Sequence, residues 1–329
     1  MSIPEKKDVI FDMALRPKEW EEYVGQQNTK NNLRVFIDAA KKRGEFIEHV
    51  LLYGPAGLGK TTLANLIAKQ AGSSIKITSG PAIEKVGDLA SILTNLEEGD
   101  ILFIDEVHRL NRLVEEILYP AMENNILDII IGKGPSAKTL QLQLPRFTIV
   151  AATTKIGSLS SPLRSRFGSI HKLKFYSNEE IKSILQRSAK LLNVEAEEEA
   201  LDLIASVSRS TPRIANRILK RVRDYSQVQD SDTITEKLTK EALDLMEIDR
   251  VGLEPGDIKM LETIIHKYKG GPVGLKTIAA SALEETETIE EVYEPYLLQI
   301  GFLSRTPQGR VATEAAYRHL GIELDNKRD

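Results

Sequence analysis

The stretch VLLYGPAGLGKTT, residues 50–62, decides how the rest of the chain is read. It opens with four β-prone residues, passes through a turn too rich in glycine to extend them, and leads into KTTLANLIAKQAG, which has the apolar spacing of an amphipathic helix. Within it Gly54, Gly59, Lys60 and Thr61 satisfy G-x-x-x-x-G-K-[ST]. The glycines let successive backbone N–H groups close around phosphate oxygens, and Lys60 supplies a cation for the β- and γ-phosphates. Thr61 can place its hydroxyl on Mg²⁺, at the start of a helix whose dipole favours an anion. The strand before and the helix after supply the context such a turn needs, so the stretch reads as a nucleoside-triphosphate cradle.

The partners of that cradle lie downstream. ILFIDEVH, residues 101–108, is an apolar strand ending in two carboxylates: Asp105 to hold the Mg²⁺ shell and Glu106 to orient and deprotonate a water. FTIVAATTK, residues 147–155, adds a third strand whose end offers Thr154, ahead of Thr153, to the γ-phosphate or the water. SPLRSRFG, residues 161–168, then presents Arg164 and Arg166. Two apart, they point in different directions, and one of them can reach across a subunit boundary to stabilise transition-state charge. An arginine in that role is worth ~10³–10⁵ in kcat. STPRIANRILKRVRD, residues 210–224, starts a helix with a Ser or Thr cap and Pro212 in its first turn. Arg213 can fold back onto the nucleotide, while the later basic residues form a solvated face.

Around these motifs the chain alternates HVLLYG, SIKITS, DILFID and FTIVAAT with amphipathic segments from about residue 33 to 176, the pattern of a parallel sheet flanked by helices. LDIIIGKGPSAKTLQLQLPRF interrupts it as a β-hairpin. From Ser177 to about Asp249 the periodicity is helical and strands vanish, with Glu179, Glu180 and Glu197 to Glu199 suited to helix starts. A second boundary falls at VGLEPGD, residues 251–257. Beyond it come three helical stretches and FLSRTPQGRVAT, a short hairpin turning at Pro307-Gln308-Gly309. The expected domains are therefore 1–176, 177–249 and 250–329.

Composition limits the alternatives. No run of eighteen apolar residues spans a membrane, the N-terminus has no secretory pattern, and zero cysteines suit a reducing cytoplasm. Five histidines are scattered singly and read as surface or packing residues, not a zinc cluster. A net charge of −4 does not advertise a nucleic-acid binder, but such footprints are local.

The motifs taken together resemble the AAA+ ATPases and, closely, the RuvB family of bacterial Holliday-junction branch-migration motors. The resemblance runs from LRPKEWEEYVGQ through GPAGLGKTTLA, TSGPAIEKVGDLASILTNL, LFIDEVHRLNRLVEEILYPAMEN, PLRSRFG, TPRIANRILKRVRD, GGPVGLKTIA and TIEEVYEPYL to RTPQGRVAT. It implies an α/β fold: an AAA+ P-loop sheet domain with a hairpin insertion, an all-helical lid and a C-terminal winged helix. It further implies that Leu15 and Arg16 strap the adenine side, and that Gly57, Lys60, Thr61 and Thr62 contact the phosphates of ATP or ADP. Arg166 matches the family's arginine finger, Arg213 its second sensor and Tyr176 a nucleotide-contacting tyrosine. Glu123, Asn124 and Asn125 occupy a further nucleotide-contacting position. The hairpin within 127–146 corresponds to the docking surface for RuvA, and Arg305 and Arg310 to the DNA-contacting arginines of the wing. A hexameric ring on branched duplex DNA, with RuvA and with RuvC in the resolvasome, completes the implication.

The chain departs from the family pattern at Ala56 (for proline), Asn124-Asn125 (for Asp and an aromatic), Lys155 and Gln308 (for arginine) and Ser210 (for glycine). The helix before the wing, ETIEEVYEPYLLQIG, carries acids and no basic residue, so reading bases from a major groove is disfavoured. Phosphate contacts from Arg305 and Arg310 fit a motor that must pass every sequence. The competing functions are a clamp loader or replication initiator, and a protein-remodelling AAA+ unfoldase. The unfoldase would thread polypeptide with an aromatic pore loop, and TSGPAIEKVGDLAS contains no aromatic residue.

Overall fold

The computed structural model describes residues 14–131 and 138–323, which fall into two compact units, Met1–Tyr176 and Ser177–Asp329. The first unit holds β1 (Val50–Tyr53), β2 (Ile75–Ser79), β3 (Ile101–Asp105), β4 (Ile126–Ile131), β5 (Lys138–Gln143), β6 (Thr148–Thr153) and β7 (Ser169–Lys172). Five of these form a parallel sheet in the order β2-β3-β6-β1-β7. The three central strands are continuous apolar runs because helices cover both faces of a parallel sheet. Leu51, Leu52, Leu102, Phe103, Ile149 and Val150 are fully buried. The order sets the carboxyl ends of β3, β6 and β1 side by side, the edge at which open α/β sheets bind ligands.

The helix Lys60–Ala71 leaves that edge directly after β1 and ends at Gly72, whose N–H returns to the carbonyls of Ala68 and Lys69. The helix Arg112–Asn124 starts on Asn111, whose side chain accepts from the Val114 N–H, and stops at Asn125 with φ +54°. Asparagine tolerates that left-handed conformation better than the larger residue it replaces. β4 and β5 pair antiparallel in register from Ile126↔Gln143 to Ile131↔Lys138, apart from the main sheet. The Gly-Lys-Gly-Pro turn expected between them lies outside the described residues.

The second unit begins with four helices, Asn178–Leu191, Glu198–Val207, Pro212–Val228 and Glu236–Leu245. Ser177 and Glu180 close a reciprocal capping box on the first, and Glu197 is the N-cap of the second. The expectation that strands vanish here is corrected: β8 (Glu195–Ala196) and β9 (Thr233–Ile234) pair in parallel. Two residues are too few to carry an alternating pattern, so only the tertiary contact reveals them.

Residues 250–323 then supply helices Pro255–Glu262, Leu275–Ala282 and Glu294–Gln299, and β10 (Leu303–Thr306) and β11 (Gly309–Ala312), followed by helix Glu314–Leu320. β10 and β11 form a hairpin closed by Pro307 and Gln308, with Gly309 already paired to Thr306. A side chain at Gly309 would meet the Val273 carbonyl oxygen at 2.4 Å, because Val273 exchanges backbone hydrogen bonds with Arg310. This segment has its own core, around Leu253, Leu261, Ile264, Ile278, Ile289 and Leu297. Among the described residues no helix is long and apolar enough to cross a membrane.

Candidate functional site

The turn after β1 folds tightly against its neighbours. The Gly54 N–H donates to the Thr153 carbonyl at 3.2 Å, and a Cβ at Gly54, whose φ is +149°, would sit 2.7 Å from the Leu173 carbonyl oxygen. Lys60 is buried and its Nζ donates to the Gly54 and Pro55 carbonyls at 2.8 and 2.9 Å. Burial pulls its pKa down, and the nearby Asp105 and Glu106 oppose that pull. Gly57 has φ +81°, Thr62 is buried in the first turn of the following helix, and the departure Ala56 sits exposed on the loop.

Beside this turn, Thr61 Oγ1 lies 3.5 Å from Asp105 Oδ2, while Asp105 Oδ1 accepts from the Glu106 N–H at 3.0 Å. Glu106 has φ +50°, a left-handed conformation that turns its side chain out of the line of β3. Its Oε2 accepts from Thr154 Oγ1 at 3.4 Å and lies 3.4 Å from His108 Nδ1. Thr153 is fully buried, and its hydroxyl meets His108 Nδ1 at 2.9 Å and accepts from the Lys155 N–H. Lys60, Thr61, Asp105, Glu106 and Thr154 thus share one corner of the sheet.

Two tyrosines back the same turn. The hydroxyls of Tyr23 and Tyr176 both donate to the Leu58 carbonyl, at 3.4 and 3.2 Å, and lie 3.4 Å from each other. Burial beside Tyr176 pushes the Tyr23 phenol well above its ordinary range. Leu15 is buried, and Arg16 is exposed.

Arg166 makes different contacts. Its guanidinium lies 4.4 Å from the centre of the Tyr119 ring, pairs with Glu123 at 2.9 Å and donates to the Pro162 carbonyl at 2.6 Å. Asn124 is exposed, and the Asn125 carbonyl accepts from Leu144 N–H at 2.8 Å, anchoring the base of the hairpin. In the second unit Arg213 is exposed in the first turn of its helix, just after Arg209 and Ser210, which both have positive φ. On the wing, Arg305 and Arg310 sit opposite each other and share one carboxylate, Glu294, which is 1% exposed. Arg305 reaches Oε2 at 2.5 Å, and Arg310 reaches Oε1 at 2.6 Å and Oε2 at 3.2 Å.

A phosphate turn after a central strand, paired acids ending its neighbour but one and a threonine ending the strand between them define an AAA+ P-loop ATPase. The comparisons carry this further. Residues 15–173 match the Holliday junction DNA helicase RuvB P-loop domain, residues 176–249 the RuvB AAA lid domain and residues 250–321 the RuvB C-terminal winged helix domain. The chain is 58% identical over 322 residues to the Holliday junction branch migration complex subunit RuvB of Dehalococcoides mccartyi, covering 98% of this chain and 92% of that one. It superposes on the Thermotoga maritima RuvB Holliday junction branch migration motor with a TM-score of 0.88 at 51% identity, covering 94% of this chain and 99% of that one. The Aeropyrum pernix ORC2 protein shares the fold alone, with a TM-score of 0.54 at 17% identity over 89% of this chain and 93% of its own. The chain belongs to the RuvB family.

Three residues of these clusters escape a reading by sequence. His108 reads in the sequence as one more surface or packing histidine, though its place three residues after Asp105 signals a position at the strand end. Tyr23 is far from the turn in sequence and reaches it only through the fold. Glu294 follows Glu287, Glu290 and Glu291 in sequence, and only its burial separates it from them.

Proposed function

We propose that this chain is the ATP-driven motor subunit that pumps duplex DNA to migrate Holliday junctions in recombination and repair. The observation that carries the reading is the convergence of Lys60, Thr61, Asp105, Glu106 and Thr154 at one sheet corner, in a chain that ends in a wing bearing Arg305 and Arg310. The domains are 1–176 for ATP hydrolysis, 177–249 for the lid and 250–329 for the DNA-binding head.

The donor set suits the nucleotide and its metal. Thr61 and Asp105 offer hard oxygen ligands 3.5 Å apart, the kind Mg²⁺ takes alongside phosphate and water. When bound, Mg²⁺ neutralises charge on the β- and γ-phosphate oxygens. Lys60 exchanges the Gly54 and Pro55 carbonyls for those oxygens, a stronger pairing for a buried ammonium. Gly57 and Thr62 supply backbone and hydroxyl contacts, Leu15 and Arg16 hold the base, and Tyr176 braces the turn. Glu106 orients the attacking water and takes its proton, steadied by Thr154 and His108.

Arg166 of a neighbouring subunit stabilises transition-state charge, with Glu123, Asn124 and Asn125 beside it at that boundary. Arg213 senses the nucleotide from the lid. Arg305 and Arg310 grip phosphate without reading sequence. The protein works as a hexameric ring in the bacterial cytoplasm, docks RuvA through the hairpin within 127–146, and joins RuvC in the resolvasome. ATP turnover on synthetic four-way junctions, with and without RuvA, tests the reading. Stimulation by the pair supports it, and indifference to both junction and RuvA refutes it.

A further inference from the structure

Arg166 is held by more than the carboxylate beside it. Tyr119, one helical turn before Glu123 on Arg112–Asn124, presents its ring face to the guanidinium at 4.4 Å. The ring is fixed at its far end: the Tyr119 hydroxyl, with one hydrogen to donate, lies 3.1 Å from Glu115 Oε2 and 2.9 Å from Ser160 Oγ. Ser160 in turn donates to Glu115 Oε2 at 2.6 Å, so two hydroxyl hydrogens gather three groups around a carboxylate only 6% exposed. Ser160 also accepts from the Leu163 N–H as N-cap of the short helix Ser161–Ser165, whose C-cap is Arg166 itself. One cluster of hydrogen-bonded groups therefore sets both the platform and the backbone that carries the arginine.

Two other groups touch the guanidinium: the Pro162 carbonyl accepts from it at 2.6 Å, on the same short helix, and Glu123 is half exposed. Among the described residues the Arg166 Nε–H is buried with no hydrogen-bond partner. Glu123 can be exchanged for another anion at little loss, whereas the ring face keeps its attraction for the cation whichever anion the guanidinium faces.

We propose that Tyr119 is a positioning residue for the arginine finger: its ring, locked by Glu115 and Ser160, holds the Arg166 guanidinium aimed at a neighbouring subunit's γ-phosphate. This rests on the reading of Arg166 as the finger. Tyr119→Leu removes the platform and lowers kcat about tenfold, the loss expected for a partly desolvated cation–π contact, with KM for ATP near its original value. Tyr119→Phe keeps the ring and the direct Ser160–Glu115 bond, and stays within about twofold in kcat.

Subunit mixing separates positioning from folding. Lys60→Ala rings keep the finger but lack the phosphate cation. Mixed with Tyr119→Leu subunits, they supply intact fingers to intact phosphate turns at about a quarter of the interfaces if assembly is random and head-to-tail. Activity per Tyr119→Leu phosphate turn recovers in the mixture. The parallel mixture of Arg166→Ala with Lys60→Ala tests the finger on its own. No recovery there overturns the finger reading. Recovery there, with kcat of Tyr119→Leu unchanged, raised or not rescued by mixing, overturns the platform alone. A loss in Tyr119→Phe as deep as in Tyr119→Leu likewise overturns it, by assigning the effect to the hydroxyl.

Discussion

Two arginine sites in this molecule are built in opposite ways. The arginines are similarly buried, Arg166 at 20% and Arg310 at 14% exposed. But Arg166 pairs with Glu123, which is 51% exposed, whereas Arg310 is pinned by both oxygens of Glu294, which is 1% exposed. An exposed ion pair contributes about 0–1 kcal/mol, so its partner can be changed cheaply. Removing one member of a buried pair leaves an uncompensated charge and costs about 3–5 kcal/mol. The contrast suits the proposed roles: an arginine that meets a neighbour's nucleotide must be able to change anion, and a wing that pulls on DNA must keep its shape.

The largest effect expected from breaking this contrast is catalytic. Arg166→Ala should bind ATP yet lose about 10³–10⁵ in kcat within assembled rings, measured by steady-state hydrolysis beside equilibrium nucleotide binding. Next comes the buried clamp: Glu294→Ala should lower the stability of the wing by about 3–5 kcal/mol in denaturant titration. Arg305, half exposed beside the same carboxylate, is the arginine better placed to reach phosphate. Arg305→Ala should flatten the slope of log K against log salt by about 0.9, the share of one phosphate contact, with the fold retained. The smallest effect belongs to Glu123→Ala, which should change stability by less than about 1 kcal/mol. A loss there comparable to that of Glu294→Ala would abolish the distinction between the two sites.

Local chemistry made much of this legible from the chain alone. The buried strands announce themselves as apolar runs, and the phosphate turn, Asp105, Glu106 and the threonine after β6 follow them at fixed spacing. The hairpin of β4 and β5 and the short hairpin near the C-terminus are legible as runs around turn residues, whereas spacing alone supports only a small α/β module there and the resemblance supplies the winged helix. What escaped depends on contacts distant in sequence or on burial. Tyr23 and Leu58 are 35 residues apart before the fold joins them. Tyr119 is one aromatic on an amphipathic helix until Ser160, 41 residues later, bonds its hydroxyl. The acids before the wing read as a surface that repels phosphate, yet Glu294 points inward and pairs with two cations. β8 and β9 are too short for any pattern.

The most direct measurement is migration of a synthetic four-way junction by this protein with RuvA, Mg²⁺ and ATP, followed as the appearance of separated duplexes. The account predicts ATP-dependent migration that Lys60→Ala and Arg166→Ala each abolish. A junction left unmoved by the unaltered pair, or moved equally well without hydrolysis, would contradict it.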